Sequence, residues 1–327
     1  MIIAVDAAGG DFYPQNPVVG SKMALEQHPE LQIMLVGPQK QVQAELQKHE
    51  IDTDRIKVID APDIVSMHDS PSTALKQKPN SSIAVGLSLH KSGQCDAFVS
   101  AGNTGALMAA SMFILGKLEG VSRPTVATYY PSLQGFRLII DAGANLEIKP
   151  EMARQFALMG QVYAQEIMGI HQPKVGLINV GEEEGKGTEL HKEIYQGLKV
   201  VPNFIGNVEG RDLLIPKADI YVTDGFVGNV ILKLGESIPE ILAVLVQKTM
   251  QNKQLPPEQL LLVQEILSES LSPFDYERVG GLPFLGVNGI SIVGHGGSSP
   301  LAVKNMIQVA LDCIEHSMNE KIIASLN

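Results

Sequence analysis

The strongest constraint on the fold of this chain is an alternation. Short runs rich in isoleucine and valine recur along it, most of them ending in a glycine-containing turn, and longer segments of helical period separate them. Such a pattern marks parallel strands joined by crossover helices, because a strand buried on both faces carries no alternating polar face. Strands are predicted at 2–6, 32–36, 56–59, 97–100, 125–129, 138–141, 174–178, 203–205, 220–223 and 291–293, and helices at 16–28, 39–48, 81–91, 104–115, 150–168, 189–199 and 299–318. No internal repeat or flexible linker interrupts the series. The expected class is α/β, a doubly wound, mostly parallel sheet in a single α/β/α domain over 1–327, with a two-lobed form of the same architecture as the alternative.

Residues 227–285 break the alternation and read as a protruding helical hairpin. One helix is expected from about 228 to 250, and a second from the Pro256-Pro257 pair, since proline is tolerated where the amide has no helical partner. Leu260, Val263, Leu267 and Leu271 share one face of the second helix, with Leu262 and Ile266 beside it. This appendage either packs on the body or on a second subunit, or offers a tip of Met250, Leu255 and Leu260 to a membrane or partner.

Composition narrows the function. Against 36 acidic residues stand 25 Lys and Arg, a formal charge of −11 that argues against a nucleic-acid partner. Cys95 and Cys313 form neither a CxxC pair nor a disulfide framework, which fits a reducing cytosol. The opening MIIAVDAAGGD lacks a basic flank and is broken at Asp6, so it reads as a first strand rather than a signal peptide or anchor. Apolar helical stretches meet charges or prolines before the roughly 18 residues a membrane span needs. A soluble chain, surface-bound at most, is expected.

Ligands of open α/β sheets bind outside the carboxyl ends of the strands, where helix N-termini offer free amides. Six strand-to-helix turns are rich in Gly, Asn, Ser and Thr: DAAGGD at 6–11, SAGNTGA at 100–106, DAGAN at 141–145, GEEEGKGTE at 181–189, DGFVGN at 224–229 and GHGGSS at 294–299. At one sheet edge they would line one cleft. In SAGNTGA, glycines admit a ligand to the backbone while Asn103 and Thr104 add side-chain contacts, suiting phosphate or an oxyanion; an ordinary turn with Thr104 as helix cap is the alternative. GHGGSSP sets His295 beside glycines, with Ser298 or Ser299 as cap. GEEEGKGT fails Walker A spacing, so Lys186 either neutralises a solvated acidic loop or contacts a ligand. There is no HExxH, EF-hand, GxSxG elbow or GxGxxG in the first turn, so neither a metal, a serine nucleophile nor a dinucleotide is indicated. The residues alone point to an anion or acyl-transfer site.

Taken in order, AVDAAGGD, SPSTALKQKPNSSI, SAGNTGALMAAS, DAGAN, GEEEGKGTEL, NFIGNVEGRD, DGFVGNVILK and PFLGVNGISIVGHGGSSPLAVKN resemble the bacterial acyl-ACP:phosphate acyltransferase family, PlsX. Ala8 stands where the family's DAMGGD has methionine, and Gly297 where HGSS would place serine, with Ser298 next to it. The resemblance implies a fold similar to phosphotransacetylases and isocitrate and isopropylmalate dehydrogenases. It also implies conversion of acyl carrier protein thioester and inorganic phosphate to acyl phosphate, which feeds a membrane acyltransferase in phospholipid synthesis. No cofactor or metal is implied; a homodimer is, in the cytoplasm and at most peripheral at the inner face of the membrane. A phosphotransacetylase-like enzyme using acyl-CoA is the alternative. On this reading Asn103, Thr104, Lys186 and His295 are catalytic, Gly102, Gly105, Asn229 and Ser298 bind phosphate or oxyanion, and Lys76, Lys78, Lys248 and Lys253 dock the acidic carrier protein.

Overall fold

The computed structural model describes residues 1–253, 255–274 and 279–326. Its strands are β1 (Ile2–Asp6), β2 (Gln32–Gly37), β3 (Ile56–Asp60), β4 (Ala97–Ser100), β5 (Thr125–Ser132), β6 (Gly135–Ile140), β7 (Val175–Ile178), β8 (Phe204–Val208), β9 (Ile220–Val222), β10 (Gly281–Leu285) and β11 (Ser291–Gly294). They form one sheet in the order β3-β2-β1-β4-β11-β10-β5-β6-β9-β7-β8. Every residue of β4 and of β7 is buried, which is why these runs read as unbroken apolar stretches.

Between the strands lie α1 (Gln15–Gln27), α2 (Gln39–Lys48), α3 (Pro71–Gln77), α4 (Ser82–Lys91), α5 (Thr104–Ile114), α6 (Pro150–Glu166), α7 (Glu189–Leu198), α8 (Gly225–Lys253), α9 (Pro257–Leu271), α10 (Pro300–Glu315) and α11 (Met318–Leu326). Alternate strand residues feed opposite faces. Ile3, Val5, Val99, Leu138, Ile140 and Ile220 pack under α1, α6, α10 and α11. On the other face Ala4 and Phe98 meet α4 and α5, while Tyr130, Ile139 and Tyr221 lie under the first turns of α8.

Two expectations change here. Residues 281–285, assigned to the appendage, are β10 in the middle of the sheet, masked in the sequence by Pro283 and the preceding glycines. The long helix expected over 299–318 is two, because Ser317 adopts a left-handed φ of 50° between α10 and α11. The hairpin itself is α8 and α9; part of its expected span, Gln254 and 275–278, lies outside the described residues.

Direction matters more than order. β11–β10, β10–β5 and β5–β6 are antiparallel, and every other pairing is parallel. An odd number of reversals turns β6, β9, β7 and β8 opposite to β1, β4 and β11. The carboxyl ends of the two sets therefore open on opposite edges of the sheet.

Gly235 of α8 lies against the Tyr130 ring, and beyond it the hairpin exposes a long apolar surface. Leu234, Ile241, Val244 and Leu245 of α8 and Leu261, Leu262 and Ile266 of α9 are exposed. Leu260, Val263, Leu267 and Leu271 form the less exposed face of α9, as their spacing predicts. At the tip Met250 is buried and borders, with Leu255, Val263 and Lys253, an apolar cavity of about 290 Å³, so Met250 is not offered outward. Among the described residues no helix is long and apolar enough to cross a membrane.

Candidate active site

The reversal splits the six turns expected to share a cleft. Those after β1, β4 and β11 (6–11, 100–106 and 294–299) meet at one edge, and those after β6, β7 and β9 (141–145, 181–189 and 224–229) meet at the other. Thr104 and His295 thus share an edge, while Lys186 and Asn229 stand at the opposite one.

The first edge is tightly tied together. The Asp11 amide donates to the Gly296 carbonyl at 2.8 Å. Met67 packs on the 295–297 turn, its Cε lying 3.1 Å from where a Cβ at Gly296 would sit. Asn103, 7% exposed, caps α5 by accepting the Ala106 amide at 3.0 Å. Its Nδ2 donates to the carbonyls of Ser66, Met67 and Asp69 at 3.1, 3.3 and 3.1 Å. Every polar atom of that side chain is occupied, so the expected ligand contact is instead a cap and a latch. The cap is Asn103, not Thr104.

Gly102 is likewise engaged, its amide donating to Ser100 Oγ at 3.0 Å. The amides of Thr104 and Gly105 have no acceptor among the described residues, and the Thr104 side chain is exposed beside them. Gly105 is required there because Pro71 of α3 closes to 2.6 Å of where a Cβ would sit. Across the edge α10 begins with Ser299 as cap to the Ala302 amide and Pro300 behind it. Ser298 is 3% exposed and spends its hydroxyl on the His295 carbonyl at 2.6 Å, which removes it as an anion ligand. His295 is exposed, and its Nδ1 lies 3.2 Å from the Gly297 amide.

The opposite edge is built for closure. Asp141 is fully buried, and its carboxylate accepts the amides of Gly143, Ala144 and Asn145 at 2.8–2.9 Å and the Asn145 side chain at 2.6 Å. Burial raises its pKa in spite of those donors. Gly228 of α8 packs so tightly on the Asp141 carbonyl that a Cβ would meet it at 1.8 Å. In the acidic turn Lys217 pairs with Glu182, Lys199 with Glu184, and Lys186 sits 3.7 Å from Glu183. The Asn179 side chain holds the Lys186 carbonyl at 3.1 Å. Lys186 fits the solvated-loop alternative, and Asn229 is an exposed neighbour of Gly143.

Of the four docking lysines, Lys78 is committed to Asp69 and the Ile64 carbonyl. Lys76 is exposed on α3, whose first residue Pro71 packs on Gly105, and Lys248 and Lys253 are exposed far along α8. Asp6 and Ser100 open the 6–11 and 100–106 turns, and their side chains are hydrogen-bonded to each other, a pairing that residue type alone does not show.

A model of the family described as fatty acid synthesis protein matches residues 1–321. The chain is 46% identical to the phosphate acyltransferase of Salinibacter ruber over 99% of this chain and 98% of that one. To the phosphate acyltransferase of Chlorobaculum parvum it is also 46% identical, over 100% and 99%. Among solved structures, a phosphotransacetylase from Streptococcus pyogenes superposes with a TM-score of 0.64 at 15% identity, over 95% of this chain and 94% of that one. A branched-chain phosphotransacylase from Enterococcus faecalis gives 0.57 at 15%, over 96% and 99%. These likenesses in structure bear on the fold alone. With a match over nearly all of its length and relatives at this identity, the chain belongs to the fatty acid synthesis protein family.

Proposed function

We propose that the chain transfers an acyl group from acyl carrier protein to inorganic phosphate, giving acyl phosphate and the free carrier thiol. Family membership makes it an acyltransferase, and its relatives at 41–46% identity are phosphate acyltransferases. The observation that carries the acceptor is the start of α5, where the Thr104 and Gly105 amides lack acceptors among the described residues and stand beside the Thr104 hydroxyl. A helix N-terminus with free amides and its positive dipole end suits an oxyanion.

The chemistry asks little more. A phosphate oxygen attacks the thioester carbonyl, the carbonyl oxygen carries the charge of the tetrahedral intermediate, and the C–S bond breaks as the carbonyl reforms. The thiol, with a pKa of about 8.5, leaves as thiolate and takes its proton from water. Phosphate is already anionic, so no strong base is needed. Placement and amide donors supply the rest, a single such donor being worth roughly 3 kcal/mol in other acyl transfers. His295, exposed at the same edge, is a side chain able to move a proton to or from phosphate.

The same reading makes 1–327 a single domain, a homodimer joined through the apolar surface of α8 and α9, and a cytoplasmic enzyme that meets the membrane peripherally. Its product would feed a membrane acyltransferase of phospholipid synthesis. Lys76, exposed on α3, supplies local attraction for the acidic carrier protein. The test is hydroxylamine trapping of acyl phosphate, with long-chain acyl carrier protein and acyl-CoA offered in parallel. Trapping from the carrier protein is expected; trapping from acyl-CoA alone would replace this donor, and none from either would overturn the reaction.

A further inference from the structure

The proposed reaction leaves Asp6, a buried acidic side chain at this edge, without a task. Asp6 closes β1 and is 2% exposed, and Ser100 closes β4 and is 1% exposed. The β1–β4 ladder runs through Val5 opposite Val99, so these are the next residues on each strand. Their side chains continue the ladder by one rung: Ser100 Oγ donates to Asp6 Oδ2 at 2.6 Å.

The rung reaches into both turns. Asp6 Oδ1 accepts the Ala8 amide at 3.0 Å, and Ser100 Oγ accepts the Gly102 amide at 3.0 Å. Gly9 closes the stack, since a Cβ there would lie 2.5 Å from Asp6 Oδ2 and 2.9 Å from the Gly102 nitrogen. Two residues after Gly102 stands Thr104, the first residue of α5.

Among the described residues Asp6 has no cationic partner, and burial raises its pKa. The two groups seen to donate to it, the Ala8 amide and the Ser100 hydroxyl, are both neutral. An apolar pair would fill the same space at less cost. What it would not supply is a short hydrogen bond of fixed direction between two loops that, among the described residues, share no backbone hydrogen bond.

We propose that Asp6 and Ser100 are positioning residues of the phosphate site. Ser100, held by Asp6, fixes the Gly102 amide and thereby the start of α5 relative to the 8–10 turn, so that the Thr104 and Gly105 amides face one point. This rests on the reading of α5 as the phosphate-binding end. A displacement of the order of 1 Å in such an arrangement costs about a hundredfold in rate.

The experiment is steady-state kinetics with phosphate varied, on Ser100→Ala, Asp6→Asn and Ser100→Thr, with a melting curve for each. A lost fraction of folded enzyme lowers kcat and leaves the phosphate KM alone, whereas misplaced donors raise it. The expected result is a phosphate KM raised about tenfold or more in Ser100→Ala and Asp6→Asn, with Ser100→Thr, which keeps the hydroxyl, close to wild type. An unchanged phosphate KM in both would overturn the role, as would Ser100→Thr behaving like Ser100→Ala. Should Ser100→Ala not fold, the phosphate KM of Asp6→Asn decides alone. A wild type that forms no acyl phosphate at all overturns the reaction, and the role with it.

Discussion

The Asn103 side-chain nitrogen lies 3.1 Å from the Asp69 carbonyl oxygen, and through it the start of α5 holds the 66–69 loop in place. Replacing Asn103 by Asp separates the two jobs of this residue. The cap to Ala106 survives, while donation to three carbonyls is lost and a negative charge faces them. A loss of about 1–3 kcal/mol in unfolding free energy is expected, with faster proteolysis between 62 and 70. Asn103→Ala loses the cap as well, adding about 1 kcal/mol. Urea unfolding checks both, and an Asp variant as stable as wild type would remove the latch.

Asp141 gives a pH dependence of defined sign. Its pKa is raised by burial above the ordinary 3.8, so between that value and its folded value the native state holds more protons than the unfolded one. Stability contributed by this group therefore falls as pH rises through the folded value. Asp141→Asn cannot titrate. Its melting temperature, compared with wild type from below 3.8 to neutrality, should show a deficit largest in acid and narrowing as pH rises. A deficit that widens with pH contradicts the assignment.

The apolar surface of the hairpin predicts an assembly. Ile241 and Leu245 are 57% and 54% exposed on α8, two side chains on one stretch of a surface that a stable contact of about 1,200–2,000 Å² would cover. Sedimentation should give a dimer for wild type and a monomer for Ile241→Glu with Leu245→Glu, at unchanged helical circular dichroism. A monomeric wild type, or a dimer that survives both charges, places the contact elsewhere.

Carrier-protein docking is tested by charge. Lys76→Glu should weaken binding most at low salt, and the difference from wild type should shrink as the screening length falls from about 10 Å at 0.1 M to about 3 Å at 1 M. Lys78→Glu also breaks the contact with Asp69, so loss of stability accompanies it. Equal affinity for Lys76→Glu and wild type at low salt would move the docking face.

The strand and helix series was legible because fully buried parallel strands leave continuous apolar runs, as in β4 and β7. What did not show was direction. Strand β10 is short and carries Pro283, and its antiparallel pairing to β11 and β5 is a tertiary fact that no local pattern encodes. That pairing sets the turns of Lys186 and Asn229 at the edge opposite Thr104. Within the site, residue type located the turns but not the use of each atom. Asn103 and Ser298 look like ligands in sequence and are spent on carbonyls in space, whereas Asp6 looks like an obstacle to an anion and is tied to the turns around it.

The place of β11 also sets a timetable for synthesis. Residues 291–294 slot between β4, nearly two hundred positions earlier, and β10, and the turn that follows them completes the edge where Thr104 waits. A ribosome must release most of the chain before this edge can close. Until then β4 presents an unpaired side to the cell, so a nascent chain holds an exposed strand and no assembled phosphate site. Stalling or truncation upstream of 291 would leave an aggregation-prone fragment rather than a slow enzyme.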